Sequence, residues 1–420
     1  MYIITGWLLD LYTHPETGMT QLWIIQTNGK RTCVQHSFPG IFYVSSNEMT
    51  ELSTVKDYVY ARFAEKARVE VENIKHPLKP DGKHLLGIHT NNMNTKRRLF
   101  KALADQFPNL DYYNVDIDIA PLYAATFGTF SFCRLELQIS GDVVQEIQVK
   151  ESPWELDLED PPLRILNLSL NRNPNREQPT QLTLSYKGKT SQFKYSTNRQ
   201  LALYLGTNIR RIDPDIIMTD FGDCYLIKAL LDGAKDFIEP IPINRDPTVP
   251  IRTRQAKSFH AYGQTINRPE AVYLAGRQHI DIQAAFFWRE TELTGLMEAA
   301  RVTGQTLQNT ARTTPGTGIS AMQAIEALRS NILVPYQKYE PEVLRSSDTL
   351  LERSKGGYLM RTEIGLHSNV GEIDFTSMYP SLMVRCNILN VYRMDSTKHT
   401  AYRFQYIGTA LKTQMRLLLY

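Results

Sequence analysis

Near one end of the chain, a carboxylate sits in the middle of an apolar strand: VGEIDF, Val370 to Phe375, with Asp374 between Ile373 and Phe375. A charge inside a buried strand is costly unless it is paired or holds a cation. The segment that follows, SMYPSLM, can turn the chain and start a helix, with Pro380 near the first helical position. That geometry leaves Asp374 at a strand end with Tyr379 beside it. Phosphoryl transfer needs little beyond positioning and charge neutralisation, which carboxylate-held Mg²⁺ supplies. A strand-end Asp followed by a short turn is half of such a site, because two metals need at least two carboxylates.

Upstream, strand-like and helix-like segments alternate. QLWIIQ (Gln21 to Gln26) and GIFYV (Gly40 to Val44) are rich in aromatic and β-branched residues and are flanked by turn formers. Lys96 to Phe107 places Leu99, Phe100, Leu103 and Phe107 on one helix face, with Lys96, Arg97 and Arg98 in a solvated first turn or against phosphates. PPLRILNLSL (Pro161 to Leu170) and TQLTLSY (Thr180 to Tyr186) read as a hairpin, and PDIIM (Pro214 to Met218) as a buried strand entering a Gly222-Asp223 turn. Glu290 to Thr303 reads as a helix, TTPGTG (Thr313 to Gly318) as a break, and Ser320 to Arg329 as a further helix. Strands mixed with helices predict an α/β and α+β chain of several domains.

The 420 residues suffice for two or three cores. With 47 Lys plus Arg against 44 Asp plus Glu, the balance permits local basic grooves without demanding a nucleic-acid partner. Cys33, Cys133, Cys224 and Cys386 lie far apart with no CxxC pair, which argues against a zinc site or a disulfide framework and fits a reducing cytoplasm. No apolar run reaches the roughly 20 residues needed to cross a bilayer, so no membrane partner is expected.

DFTSMYPSLM, together with the lead-in GGYLMRTEIGLHSNVGEI and the following NILN, resembles the first palm motif of family B DNA polymerases. The resemblance implies template-directed addition of deoxynucleotides, with Mg²⁺ as cofactor and primer–template DNA and deoxynucleoside triphosphates as partners. It makes Asp374 a ligand of both catalytic metals, completed by the backbone carbonyl of Phe375. Ser377, Met378 and Tyr379 would lie under the triphosphate, the Tyr379 ring occupying the volume a 2′-hydroxyl would need. IGTALKTQMRLLLY looks like the first fingers helix, in which Arg416 matches the family's triphosphate-binding Arg; Tyr420 stands where the family carries a Lys. The implied architecture is an N-terminal mixed α/β domain (1–125), an RNase H-like exonuclease-type domain (126–345), and the start of the palm with one fingers helix (346–420).

The resemblance continues, more weakly, into the proofreading domain, whose chemistry needs about four carboxylates around two metals. In LRILNLSLN, Ser169 and Asn171 stand where the family has Asp and Glu. DPDIIMTDFGDCYLI keeps the second motif's strand and loses its NFD, leaving Asp223 close by, and RQHID matches the third motif's YxxxD with Arg277 for Tyr and Asp281 for Asp. An Arg there would repel metal ions. The 3′–5′ exonuclease is expected to be lost, with Asp223 and Asp281 as structural hydrogen-bond acceptors and His279 as a satisfied core histidine.

The family also needs a DTD-like second palm motif and a KxxxNSxYG-like helix, and the sequence has neither. After Asp374 the only acid is Asp395. A C-terminal polymerase part is therefore expected, in the same reading frame or as a second chain, and this chain alone is expected to be inactive. Two other readings stay open: a non-catalytic DNA-binding scaffold derived from a polymerase, and a nuclease using Asp223 and Asp281.

Overall fold

The computed structural model describes residues 1–72, 74, 84–261, 264–286, 288–336, 346–353, 364–371, 378 and 385. The chain divides into two compact units, Met1–Val334 and Pro335–Tyr420.

The first unit opens with β1 (Tyr2–Thr13), β2 (Thr20–Gln26) and β3 (Arg31–His36), three antiparallel strands of a five-stranded closed barrel in the order β1-β2-β3-β9-β8. Inserted before its closing strands is a split β-α-β module: β4 (Gly40–Ser46), α1 (Met49–Phe63), β5 (Ala67–Val71), β6 (His84–Thr90), α2 (Met93–Gln106) and β7 (Asp111–Tyr113). Its sheet runs β5-β6-β4-β7, with every neighbouring pair antiparallel. After α3 (Ile119–Phe127), which Gly128 ends in the left-handed conformation (φ 77°), β8 (Arg134–Ser140) and β9 (Val143–Val149) complete the barrel. The barrel thus draws on residues beyond 125. Its seam is slight: β3 and β9 are in parallel register only at Gln35↔Val143.

The α2 helix forms where its apolar spacing predicts. Asn92 caps it, accepting from the Thr95 N–H at 2.9 Å, and Leu99 and Leu103 are fully buried. Lys96 departs from the expected solvated turn. It is fully buried, its Nζ donates to the Asn114 carbonyl at 2.5 Å, and burial pushes its ammonium down to about 7. The reason is positional: Lys96 sits about one turn after Met93 and one before Leu99, both buried, and so shares the helix's inner face. Arg97 and Arg98 are exposed.

A second sheet follows, built from β10 (Ile165–Leu170), β11 (Gln181–Tyr186), β12 (Lys189–Lys194), α4 (Asn198–Ile212), β13 (Ile216–Thr219), α5 (Ile227–Gly233), β14 (Arg252–Arg254), β15 (Lys257–Ala261), β16 (Gln264–Arg268), β17 (Ala271–Tyr273) and β18 (Gln278–Asp281). Its main sheet has the order β12-β11-β10-β13-β18. β10, β11 and β12 pair antiparallel, whereas β13 joins β10 and β18 joins β13 in parallel. β14 with β17, and β15 with β16, form two-stranded ribbons. Leu201, Leu205 and Ile209 of α4 pack with Leu166, Leu182 and Ile217 of the sheet. Completely burying each such side chain contributes on the order of 1.5–3 kcal/mol.

Last in this unit come α6 (Trp288–Thr303), α7 (Leu307–Thr310) and α8 (Pro315–Arg329). Leu296, Ala300 and Leu307 join Trp7, Leu9, Ile25, Ile216 and Ile280 in one cluster, so barrel, sheet and helices share a core. TTPGTG is not a break throughout. Pro315 occupies the first turn of α8, where its missing N–H costs nothing. Likewise Gly222-Asp223 opens a π-helical turn, Gly222–Leu226, rather than a simple turn. In the second unit, α9 (Ser347–Arg353) is helical and 364–371 is exposed and irregular.

Two aspartates of the DPD sequence bind the barrel to the sheet. Asp215 is fully buried; Arg31 of β3 donates to it twice (3.0 and 2.5 Å), Arg245 once (3.0 Å) and the Arg164 N–H once (2.8 Å). Asp213, more open, accepts from Arg245 (2.9 Å) and Arg164 (3.0 Å) and pairs with Arg277 (3.0 Å). Removing one member of a buried ion network strands its partners. Asp215→Ala is expected to lower the unfolding free energy by about 3–5 kcal/mol, and Asp213→Ala by less; urea denaturation of the two variants checks this ordering.

Candidate functional site

The C-terminal ends of the parallel strands β10, β13 and β18 come together at Leu168↔Thr219 and Thr219↔Asp281, and beyond them lie all four positions expected for the exonuclease. In open parallel sheets this edge is where ligands bind. Ser169 is half-buried on β10. Asn171 is exposed and ties the β10–β11 loop: its Oδ1 accepts from the N–H groups of Thr180 and Gln181 at 3.1 Å each. Neither side chain is a carboxylate.

Asp223 enters from the π-helical turn after β13, and both its oxygens are engaged. Oδ1 accepts from Arg312 Nη2 (2.8 Å) and the Val272 N–H (2.8 Å), and Oδ2 from Arg312 Nε (2.9 Å). Asp281 accepts from the Asp223 N–H (2.9 Å) and the Gln283 N–H (3.1 Å). Burial, followed by the neighbouring Asp223 charge, raises its carboxyl to about 6. The structure therefore brings Asp223 and Asp281 together, 2% and 4% exposed, and turns both inward to protein donors.

Arg312, which follows α7, is the centre of this arrangement and was not signalled by the sequence; nothing in TART distinguishes it from a surface arginine. Besides Asp223 it donates to the carbonyls of His279 (2.7 Å), Gln308 (3.0 Å) and Val272 (3.1 Å). Its guanidinium also lies 2.8 Å from His279 Nδ1, while His279 Nε2 is 2.9 Å from the Thr219 hydroxyl. Burial, and then the Arg312 charge, push the His279 imidazole down to about 4, so the ring is neutral at pH 7. A Cβ on Gly222 would fall 2.0 Å from Thr219 Oγ1 and 2.5 Å from His279 Nε2. Only glycine admits the turn so close to the ring.

The third-motif match needs correction. QHID is a β-strand, so Arg277 and Asp281 stand at opposite ends of it, about 13 Å apart at the usual rise per residue. Arg277 donates to the Pro214 carbonyl and pairs with Asp213, not with anything at Asp281. Burial, followed by the charge of Arg245, lowers its guanidinium to about 10. It therefore cannot repel an ion at the far end of the strand.

Of the polymerase-like stretch, Val370 and Met378 are described among the named residues: Val370 is irregular and 75% exposed rather than the start of an apolar strand, and Met378 is helical and 39% exposed. Asp374, Phe375, Ser377, Tyr379 and Arg416 lie outside the described residues.

Comparison with known proteins places this fold. No family model matches the chain. It is 28% identical over 238 residues to DNA polymerase 1 of Pyrococcus abyssi, covering 46% of this chain and 30% of that protein. DNA polymerase 2 of Saccharolobus solfataricus is 32% identical over 94 residues, 22% of this chain and 15% of the relative. Among solved structures, the family B DNA polymerase of Pyrobaculum calidifontis superposes with a TM-score of 0.58 at 17% identity, covering 80% of this chain and 52% of that one. The chain is related to the family B DNA polymerases. It spans about a third of the length of the first curated relatives it matches and about half of the solved structure.

An oxygen-lined metal site at the sheet edge does not fit the residues present. Ser169 and Asn171 offer no charge, Asp223 accepts three hydrogen bonds from Arg312 and the Val272 N–H, and Asp281 accepts one on each oxygen from backbone N–H groups. The His279 network carries a pH dependence of its own. A base whose folded pKa is lowered contributes stability that is full above its unfolded value and is lost as pH falls through the folded value. Here the window runs from 6.5 down to about 4 and the contribution is on the order of 3 kcal/mol. Because the raised Asp10 and Asp281 carboxyls act in the opposite sense over the same range in both proteins, the check is the difference: a His279→Gln variant is expected to have a lower Tm than the parent at pH 7, and the gap to narrow as pH falls across that window.

Proposed function

We propose that the chain is the N-terminal part of a DNA-directed DNA polymerase that adds deoxynucleotides to a primer, acting with a further part that supplies the second palm carboxylate motif. The observation that carries this reading is the palm-like DFTSMYPSLM stretch in a chain whose relatives are archaeal DNA polymerases. Residues 1–125, 126–345 and 346–420 are read as the N-terminal, exonuclease-like and palm-opening domains. The β12-β11-β10-β13-β18 order, in which three antiparallel strands continue into two parallel ones, supports an RNase H-like scaffold for the second.

In this reading Asp374 and the Phe375 carbonyl hold Mg²⁺, an all-oxygen donor set of the kind that ion prefers. When bound, the ion neutralises the charge that develops on the transferred phosphoryl group. Ser377 and Met378 support the triphosphate through their backbone, Tyr379 packs under the sugar, and Arg416 pairs with a phosphate. A lone palm aspartate cannot hold two metals, hence the second part. The proofreading reaction is read as lost because the sheet-edge carboxylates serve as hydrogen-bond acceptors for Arg312 and for backbone N–H groups.

Primer extension with Mg²⁺, after mixing the chain with a C-terminal palm part bearing a DTD motif, tests the proposal. Extension is expected with the parent chain and none with Asp374→Ala, and a 3′-labelled single strand should remain intact throughout. Salt-sensitive DNA binding without extension under every complementation would instead support a non-catalytic scaffold.

A further inference from the structure

On the face of the β5-β6-β4-β7 sheet that α1 and α2 do not cover, the register lines up a different set of side chains. Arg68↔His89 and His89↔Ile41 form one cross-strand row, and Glu70↔Gly87 and Gly87↔Tyr43 the next. Glu72 follows β5 by one residue, with Glu70's alternation, so it falls on the same face. The outcome is a trio, Glu70, Glu72 and His89, whose ligand atoms all lie within 4.8 Å of one another. His89 Nε2 is 2.6 Å from Glu72 Oε1 and 3.7 Å from Glu70 Oε2.

Two features show that Glu72 is held in place by its surroundings rather than merely lying near the others. Its carboxylate lies over Gly87, where a Cβ would come within 2.0 Å of Oε1, so the sequence leaves open the volume that this group fills. Beneath it, the Tyr43 hydroxyl hydrogen-bonds the same carboxylate, and burial together with the Glu72 charge pushes that phenol up to about 12. A hydrogen-bonded partner behind a ligand is what fixes its orientation in metal sites. Arg68, also on this face, pairs with Glu70 at 3.2 Å, but its side chain is 69% exposed and free to swing away.

We propose that Glu70, Glu72 and His89 form a divalent transition-metal site of the zinc class, separate from polymerase chemistry. An imidazole and carboxylates are ligand types that Zn²⁺ takes, and three of them leave a fourth position for water. Donors about 2.0–2.2 Å from an ion stand roughly 3–3.5 Å apart around it. The His89–Glu72 contact would have to open slightly and Glu70 to close slightly, both within side-chain rotation. The ion would fasten the edge strand β5 to β6.

Zn²⁺ titration of the full chain by calorimetry, alongside thermal unfolding, tests this. One equivalent is expected to bind and raise Tm, with Mg²⁺ giving neither effect. Glu72→Gln and His89→Gln should each weaken binding at least tenfold while leaving the metal-free Tm within a few degrees. Asp374→Asn should bind as the parent does. Absence of Zn²⁺ binding, or binding that survives both variants and disappears in Asp374→Asn, would overturn the site and leave the trio as an ion pair.

Discussion

Asp215 is the point on which the larger unit turns. It sits fully buried at the start of a central strand and accepts from arginines of two separate elements, Arg31 in the barrel and Arg245 in the segment before β14. A lone carboxylate at that depth would be intolerable, and so would the guanidinium groups without it. The network holds four arginines against two aspartates, and Arg277 has its basicity lowered by that excess as well as by burial. Such a cluster gains little over an apolar core of the same volume, but it tolerates only one arrangement of barrel and sheet. Register across that junction is thereby specified by charge, with the shared cluster around Trp7, Ile216 and Leu307 supplying the adhesion.

At the opposite end of the same strands, similar groups are used differently. Asp223 and Asp281 stand where a parallel sheet offers its ligand-binding edge, yet each is consumed by donors from within the fold. Arg312 does most of this. It neutralises Asp223 and, after burial, helps to keep His279 uncharged. A guanidinium paired with a buried carboxylate balances its charge within the fold. Ser169 and Asn171, the two neutral side chains at this edge, leave Asp223 and Asp281 as its carboxylates, and Arg312 pairs directly with the first of them.

Much of the architecture was legible in the sequence because periodicity survives wherever one face is buried. The β10–β11 hairpin, β13, α2 and α6 all fall on the expected segments for that reason. What escaped were effects set by neighbours remote in sequence. Lys96 looks like part of a basic surface run, but the helix turns it inward, where the Asn114 carbonyl receives it. RQHID matches the letters of a motif but lies on an extended strand, which sets Arg277 apart from Asp281. Pro315 reads as a breaker when taken alone and as a helix start once its position is known. The role of Arg312 had no local signature at all, since it depends on elements some 30 to 90 residues distant.

The barrel's closure has a consequence for how the unit loosens. Four of its five junctions are extended ladders, while β3 and β9 meet at a single aligned pair, reinforced by the Gln35 N–H on the Asp142 carbonyl at 2.9 Å. Few backbone bonds must break there for the cylinder to become an open sheet. What holds the β8–β9 ribbon against that seam is side-chain burial, with Leu135, Leu137, Ile139 and Val144 in the barrel core, rather than backbone pairing. The barrel is best pictured as a clasp, with its catch between Gln35 and Val143.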